Sequence, residues 1–385
     1  MVQNAANKGF FYIVKTGLLK VDSEHRLNDK ALSQFGPGDS FGLVSALTGH
    51  KFLVTVFAAE DSQVVELPVA NFGEFLKKQK SIAMGMLRLY SNELKAIHKY
   101  LSMVNPVESR FNSPSRLPLQ AEEYIAMGRP EYARYALEFF VNWSKDNPDL
   151  TDAHDKARGK MATLAEAPAI TREGNILKLQ PEQIIFLENE ISKEIYVITS
   201  GHVRLSTLAR GQELLIDVLG PGEIFGEMSF VDQGLRMASA IADDECEVMK
   251  FSPETLFEGV GALILQRIFI SLARRIWFSH QRLVILRIND PAARLYAFVY
   301  NLIRNAEISS TMHNKAPKME FNMGLEGLKK MCGLLKVSNE KIASFTKDSN
   351  LVITDVSIRV NNRKYLEDRV AYLKTKAGQI SADLV

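Results

Sequence analysis

Residues 225 to 240 read FGEMSFVDQGLRMASA, which sets the carboxylate of Glu227 nine positions before the guanidinium of Arg236, each flanked by small or apolar residues. An arginine fork meets two oxygens of a phosphate with directed, charge-assisted hydrogen bonds. A glutamate beside it can accept from a hydroxyl of the same ligand. Gly226 lets that ligand approach the backbone with no Cβ in the way. The N–H groups of a short helix starting at Met228 and Ser229 add donors, as helix N-termini do for anions. An acid and an arginine nine apart are ordinarily two surface residues. Here Gly220-Pro-Gly-Glu-Ile-Phe-Gly226 leads into them, and Met237 and Ala238-Ser239-Ala240 follow.

A second stretch, FGLVSALTGHKFLVTV from Phe41 to Val56, copies the frame with Leu43 and Phe52 in place of the charges. The correspondence extends further. Tyr12–Gly17 matches Tyr196–Gly201, and Gly36–Gly42 matches Gly220–Gly226, always at an offset of 184 positions. Two copies of one domain explain this. Both read as short antiparallel strands with Gly-Pro turns, a small β-barrel or jelly roll. IIFLENEISKE, before the second copy's YVITSG, has no counterpart in the first, which therefore reads as N-terminally clipped. A phosphate beside Leu43 and Phe52 meets apolar side chains and is desolvated without a partner. His50 and Lys51 leave a rearranged anion site as the lesser reading.

The chain has 385 residues, two cysteines and a net charge of +2. That length implies several domains. Cys246 and Cys332 are far apart and in no CxxC context, so a disulfide framework or zinc site is not expected, and a cytoplasmic location suits them. No metal is expected. The apolar segment from Gly261 to Leu286 is interrupted by Gln266, Arg267, Arg274 and Arg275, which excludes a membrane span. No nucleophile–base pair or Walker loop is found, so the chain does not read as an enzyme.

Between the copies, residues 105–170 form a linker and amphipathic helices. The order Gly128, Tyr132, Ala136, Phe140, Pro148 is weakly similar to one tetratricopeptide repeat. Ala262 to about Leu286 reads as one helix with a stripe at Ile268, Leu272, Ile276, Ser279 and Leu283. Residues 324 to 376 hold eleven Lys/Arg against six Asp/Glu, a local basic surface in a near-neutral chain. Within it Met331, Leu335, Val337, Ile342 and Phe345 occupy the apolar positions of a helix-turn-helix. Cys332 is the small residue at the crossing, and Ser338 is an N-cap. The turn position usually held by glycine falls on Lys336. A recognition helix from Ser338 presents Asn339, Glu340, Lys341, Ser344 and Lys347 to a major groove.

YVITSGHVRL, GPGEIFGEMSF and GLRMASAI together resemble the cyclic-nucleotide-binding domain of the catabolite-activator (Crp/Fnr-like) regulators and of cyclic-AMP-dependent kinase regulatory subunits. The resemblance implies a mixed α and β chain of four parts. These are a degenerate cyclic-nucleotide-binding-like domain (1–104), the helical linker (105–170), a cyclic-nucleotide-binding domain with a long dimer helix (171–286) and a winged helix-turn-helix domain (287–385). It implies a cyclic nucleotide at Gly226, Glu227, Met228, Ser229, Arg236 and Met237, with Ser279 and His280 over the base. Met237 brings no hydroxyl to a guanine amino group, which favours cAMP over cGMP. A homodimer gated by ligand and binding double-stranded DNA follows. The alternative is a cyclic-nucleotide-binding scaffold that acts on a protein partner through the central helices. The hairpin at Thr354–Val360 lacks the Gly-Lys tip of that family's wing.

Overall fold

The computed structural model describes residues 1–22, 33–104, 113–166, 168–209, 212–227, 234–309, 319–321, 323–346 and 349–377. The chain divides into two compact units, residues 1–106 with 269–385, and residues 107–268.

The first copy lies in the former unit. Its elements are β1 (Phe10–Thr16), β2 (Leu19–Asp22), β3 (Gln34–Phe35), β4 (Ser40–Phe41), α1 (Leu43–Thr48), β5 (Thr55–Ala58), β6 (Gln63–Pro68), α2 (Phe72–Lys78) and α3 (Lys80–Val104). The strands form two sheets, β4-β1-β6 and β3-β2-β5. Val14, Leu19, Phe41 and Val56 fill the space inside.

Three helices follow: α4 (Leu117–Ala126), α5 (Pro130–Ser144) and α6 (Thr151–Met161). Gly128 takes the left-handed turn between the first two. Tyr132, Ala136 and Phe140 recur every four residues and are buried on one face. A lone helical repeat has no partner for that face. Here Ile184, Leu187 and Ile241 of the second copy cover it. The apolar face of these helices is therefore spent inside the unit.

The second copy contains β7 (Thr171–Glu173), β8 (Ile176–Leu179), β9 (Ile184–Phe186), β10 (Ile195–Ser200), β11 (Val203–Ala209), β12 (Gln212–Leu219), β13 (Ile224–Phe225), β14 (Ser239–Ala242) and β15 (Cys246–Phe251). These build an open sheet β13-β10-β15-β8-β7 and another, β12-β11-β14-β9. The expectation of a closed barrel is corrected. Edge strands of two and three residues, β13 and β9, end the hydrogen-bonding, and the result is a two-sheet sandwich. Pairing repeats the first copy residue for residue: Tyr12 faces Phe41, and Tyr196 faces Phe225. Even the irregularity between Val14 and Thr16 recurs between Ile198 and Ser200. Strand β14 is buried on both faces. Ala240 and Ala242 point into the sandwich, while Ile241 lies under the helices.

After the capped helix α7 (Pro253–Gly259), α8 runs from Ala262 to Leu286 as the periodicity predicted. The rest of the chain is α9 (Pro291–Ser309), β16 (Met319–Phe321), α10 (Leu325–Met331), α11 (Asn339–Phe345), β17 (Leu351–Ile353), β18 (Ile358–Val360) and α12 (Arg363–Ala377). Tyr296, Phe298, Leu328, Cys332, Ile342 and Leu366 share one core. Arginines tie these helices together by carbonyls. Arg282 Nε donates to Met331 O at 3.0 Å, and Arg294 Nη1 donates to Gly333 O at 3.2 Å. Lys336 lies in the turn before α11, and a further turn directly after α10 is made by Gly333 at φ 65°. Only a residue without a Cβ sits easily there, because Leu286 Cδ2 would stand 3.0 Å from it.

Candidate functional site

In the second copy, Arg236 is 2% exposed, among the most deeply buried side chains of the chain. Its Nη1 donates to Gly226 O at 2.9 Å, and its Nη2 donates to Ser192 Oγ and Glu194 O, both at 2.8 Å. The guanidinium carbon lies 4.0 Å from the centre of the Phe186 ring, with Tyr196 at 5.8 Å. Burial draws its pKa below the ordinary arginine value, against the pull of Tyr196, Glu190, Glu194 and Glu227.

The backbone around Arg236 is zipped to the loop before β10, and the first copy, expected to lack that loop, repeats the pairing: Phe52 N donates to Ala5 O at 3.0 Å and Asn4 N to Phe52 O at 2.9 Å. Arg236 N donates to Glu190 O at 2.8 Å, Asn189 N to Arg236 O at 3.0 Å, and Ser192 N to Gly234 O at 2.7 Å. Asn189 adopts φ 76°, a left-handed value that asparagine tolerates better than most residues. The buried Glu190 carboxyl accepts from Leu187 N at 2.6 Å. Burial pushes its pKa up to about 8, in spite of that N–H and of Arg236.

Gly226 adopts φ 81°, and a Cβ there would stand 2.7 Å from Arg236 Nη1 and 3.0 Å from Glu194 O. Glycine is required both by the backbone and by the arginine packed on it. Glu227 is fully buried next to it. Gly226, Glu227 and Arg236 are therefore brought together, with Met237 half-buried beside them. Met228 and Ser229 lie outside the described residues. Ser279 and His280 belong to the other unit, on α8, and are buried at 7% and 5% exposure.

The sequence reading missed Ser192, Glu194 and Phe186. Of the three oxygens that accept from the guanidinium, Gly226 O and Glu194 O are main-chain carbonyls, whose role no residue pattern announces.

The helical segment braces this copy from outside. Asn189 Nδ2 donates to Gln120 Oε1 at 3.1 Å. Arg204 donates to both Glu182 oxygens at 2.7 Å, and Tyr132 and Arg129 donate to the same carboxylate. Burial alone would raise the Glu182 pKa, but those donors bring it down to about 2.

In the first copy the corresponding positions are apolar and closed: Leu43 is 0% exposed and Phe52 9%. At the C-terminal end, Ser338 Oγ accepts from Lys341 N and caps α11. Ser338, Asn339, Glu340, Lys341 and Ser344 are exposed while Ile342 is buried. Lys347 lies outside the described residues. No described helix is long and apolar enough to cross a membrane. Cys246 and Cys332 are both buried and free.

The profile of the cyclic nucleotide-binding domain family matches residues 2–79 and again 176–260. The cyclic AMP receptor protein of Thermus thermophilus is 33% identical over 123 residues, 31% of this chain and 57% of that protein. The chain thus spans little more than half the length of that relative. A CRP-like cAMP-activated global transcriptional regulator of Mycobacterium tuberculosis is 23% identical over 205 residues, 52% of this chain and 90% of the relative. Among solved structures, a CRP/FNR-family transcriptional regulator from Thermus thermophilus matches 51% of this chain and 98% of its own. Its TM-score is 0.38 and its identity 16%. The frame that repeats at 184 positions is therefore what the cyclic nucleotide-binding domain profile matches twice, and part of the chain is similar to the cAMP-responsive CRP-like regulators.

Proposed function

We propose that the chain is a cAMP-responsive transcription regulator whose second copy binds the nucleotide and whose C-terminal segment binds DNA. The buried Arg236 is the observation that carries this reading. A cation held at 2% exposure over Phe186, with Gly226 and Glu227 against it, suits a phosphate that must itself leave water. The phosphate would exchange with part of the carbonyl and hydroxyl set that now receives the guanidinium donors. Met228, Ser229 and Met237 would complete the seat and Glu227 would accept from the ribose hydroxyl. Ser279 and His280 would meet the base in a dimer. Met237 carries no hydroxyl for a guanine amino group, which favours cAMP.

For DNA, support comes from the exposed face of α11 and the excess of basic residues, eleven against six acidic, in the segment 324–376 that contains it. Ser338, Asn339, Glu340, Lys341, Ser344 and Lys347 would enter a major groove, and the sheet β16-β18-β17 would form the wing. The division at 1–104, 105–170, 171–286 and 287–385 goes with this reading.

Calorimetric titration with cAMP and cGMP, on the wild type and on Arg236→Ala, tests the site. The expected result is tighter binding of cAMP and its loss in the variant. Equal affinities of wild type and variant would falsify the assignment. A gel shift at low salt with and without cAMP tests the DNA half.

A further inference from the structure

The unit formed by residues 1–106 with 269–385 contains a cavity of about 280 Å³, whose lining includes His280 but none of the residues around Arg236. It opens at the first copy's degenerate cassette. His50, Lys51 and Phe52 line one side, Trp277 and Gln281 of α8 another, and Asn301 and Arg304 of α9 a third.

Three of these side chains carry a buried polar atom with no hydrogen-bonding partner among the described residues: His50 Nε2, Gln281 Oε1 and Asn301 Oδ1. Gln281 is 3% exposed and Asn301 2%. Such orphaned atoms are rare, and each one costs stability. Three around one cavity point to a ligand.

Their chemistry is legible. Arg304 Nη2 donates to His50 Nδ1 at 2.9 Å, which leaves the imidazole hydrogen on Nε2 as a donor. Burial, then the Arg304 charge, lowers the His50 pKa to about 3, so the ring stays neutral. Stacking on Trp277, with ring centres 3.9 Å apart, fixes its plane. Asn301 Nδ2 points to Phe278 O at 3.5 Å, which sets Oδ1 as the acceptor. The cavity therefore offers two amide acceptors and one imidazole donor, with Lys51 and Arg304 supplying positive charge. Its volume is at the lower edge of the ~300–1,000 Å³ usual for small-ligand sites. Leu43 and Phe52 close the seat a cyclic phosphate would take.

We propose that this cavity binds a small organic anion bearing an amino group, of amino-acid size. Its N–H donors meet Gln281 Oε1 and Asn301 Oδ1, and its carboxylate meets His50 Nε2–H and the Arg304 charge. The first copy would then sense a ligand of a different class from the second. Because α8 and α9 supply two walls, the occupant joins the first copy to the C-terminal helices.

The test is calorimetric titration of the full-length protein with each proteinogenic L-amino acid, paired with its deaminated carboxylate. At least one amino acid is expected to bind, with its deaminated partner weaker by about tenfold or more. Gln281→Met and Asn301→Leu should abolish that binding. Gln281→Met should melt at or above the wild-type temperature, because the atom it deletes has no partner. Both variants should keep wild-type cAMP affinity, which separates this site from the one at Arg236. The proposal is overturned if no amino acid binds, if binding survives Gln281→Met, or if a crystal structure shows the three atoms satisfied by ordered water alone.

Discussion

Replacing Arg236 removes a ligand group and a structural plug together, because the guanidinium already holds Gly226 O, Glu194 O and Ser192 Oγ. Arg236→Lys separates the two roles. A lysine keeps the charge but cannot span three acceptors and a phosphate with a planar fork. Calorimetry on this variant should show cAMP binding weaker by about 10–100-fold, matching the ~1.5–3 kcal/mol of a charge-assisted bond. Gly226→Ala should be worse for folding, since its Cβ is strained at φ 81° and meets Nη1 at 2.7 Å. A melting temperature unchanged from wild type would contradict that packing. The pair of charges was legible in the sequence because its twin, Leu43 and Phe52, keeps the frame without them. The acceptors around Arg236 were not, since a main-chain carbonyl leaves no mark on residue identity. The same limit applies to His50, Gln281 and Asn301, which are more than two hundred positions apart at their extremes and meet only through folding.

Strand β14 shows why the central helices belong to the second copy: one face packs into the sandwich and the other beneath α4 and α5. Glu182 is the electrostatic fastener of that contact. Its carboxyl titrates ordinarily near 4.5 and is held down to about 2 in the folded unit. A depressed acid stabilises the fold fully above its unfolded pKa and loses that contribution as pH falls through the folded value. The Glu182 contribution to the melting temperature, read as wild type minus Glu182→Gln, should therefore be constant above about pH 5 and decline between about 4.5 and 2. In Glu182→Gln the melting temperature at pH 7 should be lower by roughly 2–4 °C, for a loss of about 1 kcal/mol. A variant with an unshifted acid limb would show that the three donors contribute nothing. The strands and the turns were readable from alternation and from Gly-Pro pairs. The open edges were not, because strand length at an edge depends on neighbours rather than on the strand's own pattern. The motif's spacing singled out Lys336 and left Gly333, in the turn directly after α10, unmarked for a similar reason. Arg294 and Leu286 crowd residue 333, and that crowding, not the motif's usual spacing, decides where a Cβ is excluded.

At the scale of the molecule, the chain passes from the unit of residues 107–268 to the other within α8, since the division falls between residues 268 and 269 of a helix that runs from Ala262 to Leu286. The periodicity of α8 announced one element, and nothing in it marked a boundary, because an unbroken helix keeps its stripe through the junction. A continuous helix is stiff, so a change at its start is carried to its end. At that end Arg282 Nε holds Met331 O, the last turn of α10. The helix is thus the covalent route by which a nucleotide at Arg236 could bias α11. Softening it should cut this route without touching either site. In Gln266→Gly with Arg267→Gly, each glycine costs about 1 kcal/mol of helix stability. Gel shifts on this double variant should show DNA binding that no longer responds to cAMP, while calorimetry finds cAMP affinity within about twofold of wild type. Retention of the full cAMP response would mean that the signal leaves the second copy by another path. A proportional loss of both activities would mean that α8 serves the fold alone.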